Sequence, residues 1–251
     1  MALLCASLAA IAPVIWVLRL AFGAPGDPLA NFRAVIGAPF FLRQLANSLF
    51  VSTATAAIAI SLSCTAAYAL SRFDFPGRRA SLRLFLVSQM FPGVVTAVPI
   101  YVLLDAIGLV DRLAGLVLVY STTAVPFSIY MLKGFFDQVP RELDEAARLE
   151  GASRFAVFCK IALPLAWPGI AVTALFAFMT AWNEFILAAT FMNAESRYTL
   201  PVVLQGYVGA YGAKWGLFAA GAVIVSLPVV LLFYALQRNI ARGIATGAVK
   251  G

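Results

Sequence analysis

Glu184 is the one acid set in apolar sequence, beside Trp182 and Asn183 and ahead of Phe185-Ile-Leu-Ala-Ala-Thr-Phe191. An ionisable residue inside a membrane span is costly and by default marks a functional site. Helical steps of 4, 3 and 4 residues back from Glu184 place Thr180, Ala177 and Thr173 on one stripe, which must face protein or water. Trp182, Asn183 and Glu184 set an aromatic ring beside two planar polar groups, a set that can contact a solute passing the helix. The same residues also serve as hydrogen-bonding glue between helices, so both roles stay open here. Gln89, Tyr120, Thr122 and Thr123 are weaker lining candidates, since Ser and Thr readily bond to their own helix carbonyls. Other chemistry is excluded. There is no His, and Cys5, Cys64 and Cys159 give no zinc spacing, no Cys-x-x-Cys and no Ser-His-Asp set. The Gly-x-x-x-x-Gly-Lys-Ser/Thr phosphate loop is absent, so any ATP used must be hydrolysed by another chain.

The elements that must position these residues follow from composition. Of 251 residues 63% are hydrophobic and 12% charged, far from the roughly 45–50% and 25% of a soluble domain. Too few charges remain to cover a water-exposed surface, so lipid is the solvent. The net charge of +7 is scattered between apolar runs without a continuous patch, which argues against nucleic acid as partner. Crossing the hydrocarbon layer takes about 20 apolar residues. Six runs qualify, giving an all-α polytopic membrane domain over 1–251 with six transmembrane helices at about 1–22, 44–71, 84–104, 113–136, 161–191 and 215–237. The first run could be a signal peptide, but its first charge, Arg19, lies beyond the apolar stretch, and a retained span is expected. Two thirds of the 18 Lys and Arg fall on one side, in the segments holding Arg72–Arg83, Lys133–Lys160 and Arg238–Lys250, which puts both termini in the cytoplasm. The cytoplasmic loop is then 137–164 and the main external loop 192–214. Pro92, Pro99, Pro126, Pro168 and Pro228 lie in or near spans and predict bends.

Within the cytoplasmic loop, Pro140 suits a helix start, Glu142, Asp144 and Glu145 favour its positive end, and Gly151 suits its stop. Ser153 then caps a second helix that runs to the membrane with Phe155, Phe158 and Cys159 along one side. Glu145-Ala-Ala147, Gly151, Ile161, Leu163 and Pro164 reproduce a motif at every spacing: Glu-Ala-Ala, three residues, Gly, nine residues, Ile-x-Leu-Pro. On these residues the chain resembles the inner-membrane permease subunits of binding-protein-dependent ABC importers. Gln89-Met-Phe-Pro-Gly93, Pro99-Ile-Tyr101, Gly108-Leu-Val-Asp-Arg112, Ala181-Trp-Asn-Glu-Phe185 and the ending Gly247-Ala-Val-Lys-Gly251 resemble the MalG-like carbohydrate-uptake branch.

The resemblance implies a transport subunit with no catalytic site, in the cytoplasmic (inner) membrane. It implies three protein partners: a second, MalF-like permease forming a heterodimer, a dimeric ABC ATPase that uses ATP and Mg, and an external solute-binding protein. A coupling helix carrying Glu145, Ala146, Ala147 and Arg148, closed by Gly151, would dock on the ATPase, and Lys250 in the tail would enter the same interface. The Gly206-Tyr-Val-Gly-Ala-Tyr-Gly212 loop, with Tyr207, Gly209 and Tyr211, would reach the binding protein. The cargo implied is a malto-oligosaccharide, trehalose or similar glycoside, with glycerol-3-phosphate-type solutes as the alternative. Two rivals remain from the residues themselves: a proton-coupled secondary transporter using Glu184, and an intramembrane enzyme. One intramembrane acid, no His and no inverted repeat weigh against the first; the lack of a nucleophile and base weighs against the second.

Overall fold

The computed structural model describes residues 2–209 and 212–248, with only the backbone of 2–6, 8 and 238–248. All regular structure among these residues is helical. In chain order the helices are α1 (Ala2–Ala21), α2 (Ala30–Ile36), α3 (Phe41–Arg72), α4 (Arg78–Ser88), α5 (Gly93–Ala106), α6 (Leu113–Gln138) and α7 (Arg141–Leu149). Then α8 (Arg154–Val157) passes through a π-helical turn, Phe158–Ala162, into α9 (Leu163–Leu165). After these come α10 (Trp167–Trp182), α11 (Ile186–Phe191), a 3-10 turn at Glu195–Arg197, α12 (Leu200–Gly206) and α13 (Trp215–Ala248).

The bundle is centred on α3, which packs along α6 and α10, while α1 lies along α13. Close approach is written into α3 as a stripe at helical spacing, Ser48, Ser52, Thr55, Ala59 and Ser63, all buried. Small side chains let helix backbones meet where lipid supplies no hydrophobic drive between spans. Ser63 Oγ also donates to the Val125 carbonyl at 3.1 Å. The contact of α10 with α6 depends on Gly169, where an added Cβ would lie 2.2 Å from the Phe135 ring.

Three helices, Phe41–Arg72, Leu113–Gln138 and Trp215–Gln237, are each long and apolar enough to span a membrane. Two bent pairs, Arg78–Ser88 with Gly93–Ala106 and Arg154–Leu165 with Trp167–Trp182, raise the number to five if each is one span. The sixth expected span falls on α1, within which Ala9–Ala21 is a shorter apolar helix among the described residues. The continuous helices expected over 84–104 and 161–191 are therefore corrected. The first turns through 100° across Gln89–Pro92, the second through 76° at Ala166. Pro92 stands extended at φ −61°, ψ 129°, and its ring disfavours helix at Phe91 before it. Pro164 and Pro168 flank the second bend, and α10 breaks again at residues 183–185 before α11. Pro99, Pro126 and Pro228 sit inside α5, α6 and α13 without ending them.

Candidate functional site

The expected helix, turn and helix stand at one end of the bundle. Pro140 takes the cap position just before α7 rather than its first turn, and the first turn holds Glu142 and Asp144. Three bonds close α7: Glu150 N–H to Ala146 O at 3.1 Å, Gly151 N–H to Arg148 O at 3.1 Å, and Ala152 N–H to Ala147 O at 3.0 Å. The last two form the paired bonds of a Schellman ending, whose left-handed residue is Gly151 at φ +90°. Ser153 Oγ then accepts the Ala156 amide at 3.2 Å and starts the next helix. Leu163 donates back five residues to Phe158 O, a π turn immediately before Pro164, which has no amide to give. Phe158 is buried and Cys159 half-buried as one side of this segment, whereas Phe155 is exposed, a correction to the single apolar side expected.

Glu145, Ala146 and Arg148 are exposed, Ala147 is half-buried, and the neighbouring Leu149 is 89% exposed. This face presents two small residues between an acid and a base, with a bare leucine at its end. The opposite face is anchored. Arg72, the last residue of α3, bonds through Nε to Asp144 Oδ2 at 2.7 Å, their side chains only 6% and 11% exposed. Its Nη2 donates to Val139 O at 2.8 Å, Arg141 Nη2 donates to Ser71 O at 2.8 Å, and Ser71 Oγ donates to Asp137 Oδ1 at 2.7 Å. One polar knot thus ties the ends of α3 and α6 to α7. Spacing within the loop carried no signal for it, because Arg72 and Asp144 are far apart in sequence.

The intramembrane candidates separate into two groups. Glu184 accepts from Tyr120 Oη at 2.6 Å, Leu187 N–H at 2.9 Å and Ala188 N–H at 3.1 Å. Its carboxylate therefore bridges α6 to the first turn of α11 and satisfies amides that the break after α10 leaves free. Trp182 is buried and stacked on Phe178 at 5.4 Å, so it belongs to the core against α13 and offers no open ring, contrary to the platform role expected. Thr173 is buried and donates to Gly169 O at 2.8 Å, while the exposed Thr180 donates to Phe176 O at 2.9 Å. Asn183 is exposed. Gln89, at the apex of the α4–α5 bend, donates from Nε2 to Thr123 O at 2.8 Å, one turn ahead of Pro126. Gln89, Thr122 and Thr123 are all exposed, which leaves Gln89, Thr122, Thr123, Thr180 and Asn183 as the exposed polar candidates.

The segment expected as the main external loop, 192–214, is fastened to the bundle over its first part. The Gln44, Asn47 and Ser48 side chains on α3 bond to the backbone of Glu195, Ser196, Tyr198 and Leu200 at 2.8–3.1 Å. Asp111, at φ +58°, accepts the Asn193 and Ala194 amides at 3.0 and 3.1 Å and pairs with Arg197 at 2.8 Å. Partial burial would raise the Asp111 carboxyl, but the two amides and the guanidinium outweigh it and hold the group below its usual range. Gly206 ends α12, and Tyr207 packs half-buried toward α13 while its carbonyl accepts Lys214 N–H at 2.8 Å. Gly209 and Gly212 lie in the segment thus closed; Tyr211 falls outside the described residues, as does Lys250.

Residues 59–246 match the family described as "Binding-protein-dependent transport system inner membrane component". The trehalose transport system permease protein SugB of Mycobacterium tuberculosis is 33% identical over 255 residues, covering 96% of this chain and 93% of that one. The maltodextrin transport system permease protein MdxG of Bacillus subtilis is 36% identical over 224 residues, covering 89% and 81%. Among solved structures, a bacterial ABC transporter involved in alginate import superposes with a TM-score of 0.81 at 22% identity, over 94% of this chain and 92% of the other.

Proposed function

We propose, from the premise that this chain belongs to the binding-protein-dependent transport system inner membrane components, that it is a permease subunit of an ATP-driven sugar importer. The single observation that carries the reading is α7. It is a short helix held rigidly from behind by the Arg72–Asp144 pair and bare on the face that bears Glu145, Ala146, Ala147 and Arg148. That is the form of a lever seated on a partner.

In this reading the six spans expected from the sequence form half a pathway, with both termini cytoplasmic. A second permease completes the pathway, an ATPase dimer using ATP and Mg grips α7, and an external binding protein delivers sugar. Ala146 and Ala147 let the partner's backbone come close, and Glu145 and Arg148 make charge-assisted contacts across the seam. Movement of α7 passes through the Arg72 knot to α3 and α6, which turns the cavity outward to receive sugar and back inward to release it. Gln89, Thr123, Thr180 and Asn183 supply the polar surface of this half, and Glu184 holds its shape. The tail with Lys250 joins the ATPase seam, and the Gly206–Gly212 segment, which contains Tyr207, Gly209 and Tyr211, meets the binding protein. Trehalose and maltodextrin systems among the relatives favour a glucoside as cargo.

The test is reconstitution of the co-purified complex in proteoliposomes with its binding protein. Uptake of trehalose or maltodextrin is expected only with internal or external ATP on the α7 side. Uptake driven by a proton gradient without any ATPase would overturn the reading in favour of a Glu184 proton carrier.

A further inference from the structure

We propose that the cleft between the start of α4 and α6 binds the phosphodiester headgroup of an anionic phospholipid. The cleft measures about 690 Å³ and is walled by Arg78, Arg79 and Arg83 of α4 and Lys133 of α6, with Asp74 its one acid. Two of these cations are engaged by the fold. Arg78 pairs with Asp74 and donates from Nε to Leu70 O at 2.8 Å, and Lys133 pairs with Asp137 at 2.5 Å. Arg79 and Arg83 have no ion pair or hydrogen-bond partner for their guanidinium groups among the described residues.

Three repulsions meet at this point, and the Asp74 and Asp137 carboxylates that pair with Arg78 and Lys133 leave the Arg79 and Arg83 charges unpaired. Arg79 and Arg83 are four residues apart on one face of α4, where like charges destabilise a helix. The first turn of α4 contains no acid and no side-chain cap, so Arg78 and Arg79 sit against the positive end of its dipole. Lys133 brings another cation from a second helix. An anion in the cleft relieves all three together, and a phosphodiester offers two oxygens to the planar guanidinium fork.

The surroundings favour a lipid over a soluble anion. No residue of α4 is buried, and directly beyond Arg83 the helix exposes Leu84, Leu86 and Val87, Leu84 by 67%. Phe75 and Leu82 add apolar wall to the cleft itself. A basic pocket with an apolar row rising from it matches a headgroup above its acyl chains, and basic pockets beside spans hold anionic headgroups in this way. The proposal needs a membrane around the chain but does not need the sugar or the ATPase.

The experiment uses the full chain in a neutral detergent, offered equal amounts of phosphatidylglycerol and phosphatidylcholine with the same acyl chains and read by native mass spectrometry. Phosphatidylglycerol is expected to be retained preferentially. Arg79→Gln with Arg83→Gln is expected to reduce its retention about thirtyfold, at about 1 kcal/mol for each lost cation, while Arg79→Lys with Arg83→Lys keeps most of it. Arg43→Gln with Arg112→Gln, the same charge removed elsewhere, should leave retention unchanged, and an unaltered unfolding midpoint would verify that the exposed α4 variants fold. Equal retention of the two lipids, or equal loss in the charge-matched control, would overturn the proposal. Complete displacement by millimolar inorganic phosphate would also overturn it and assign the cleft to a free anion. A photo-crosslinker at Arg79 that captures an acidic companion chain in place of lipid would assign it to protein.

Discussion

At Glu184 the two roles open in the sequence give different outcomes. Its carboxylate takes three hydrogen bonds at 2.6–3.1 Å, two of them from the start of α11. Each hydrogen bond to a charged acceptor contributes about 1.5–3 kcal/mol. Glu184→Gln is therefore expected to lower the thermal unfolding midpoint in detergent, and Tyr120→Phe to lower it by a similar step. The double variant should cost less than the sum of the two, with a coupling of about 1–2 kcal/mol. Full additivity would show that the contact contributes nothing. Asn183→Ala, exposed and outside this cluster, should leave the midpoint alone and change the sugar response instead. On the opposite end, Asp111 carries a pH dependence. Its folded pKa lies below the unfolded value of about 3.9, so its stabilisation is present above that value and is lost as pH falls through the folded pKa. Amide exchange over residues 193–198 should accelerate below about pH 4 in the natural chain. Asp111→Asn should exchange faster already at neutral pH and show no further acid step, and an identical acid step in the variant would refute the assignment.

For the elements, the most demanding prediction concerns the knot behind α7. Removing one partner of a buried ion pair costs about 3–5 kcal/mol, because the other charge is left unpaired. Asp144→Asn and Arg72→Leu should each loosen α7, measured as faster amide exchange over Arg141–Leu149, whereas Glu145→Gln, exposed on the other face, should not. Gly151→Glu meets open space but forces a charged side chain onto φ +90°, at about 1–2 kcal/mol. It is expected to reduce ATPase association and uptake together. Much of this element was legible in advance, since Gly151 and Ser153 mark a stop and a start whose geometry local bonds alone produce. The bends were less so. Pro92 accompanies a 100° turn whereas Pro126 sits inside an unbroken α6, and nothing in the local sequence of either proline separates the two outcomes. Trp182 reads as an open ring because, although Phe178 one turn earlier on α10 can stack on it, nothing nearby in sequence reveals that α13 packs over the pair. The clamp of Gln44, Asn47 and Ser48 on the outer loop joins residues about 150 apart in the chain, beyond any local pattern.

Taken whole, the molecule has a stiff axis and two dressed ends. The small buried stripe on α3 lets α6 and α10 pack close against it. Both ends fasten to that same helix: Arg72 to α7 at one, and Gln44, Asn47 and Ser48 to the 195–200 segment at the other. In the proposed reading, a movement of α7 is passed along α3 to the 195–200 segment, because both are bonded to that helix. The most direct measurement is cross-linking from a single cysteine at Ala146, with Cys5, Cys64 and Cys159 replaced by serine, in the purified complex. A cross-link to a companion ATPase that changes in yield between ATP-bound and nucleotide-free states is the expected result. No ATPase adduct, together with labelling of that cysteine by an impermeant reagent from outside intact cells, would contradict the account.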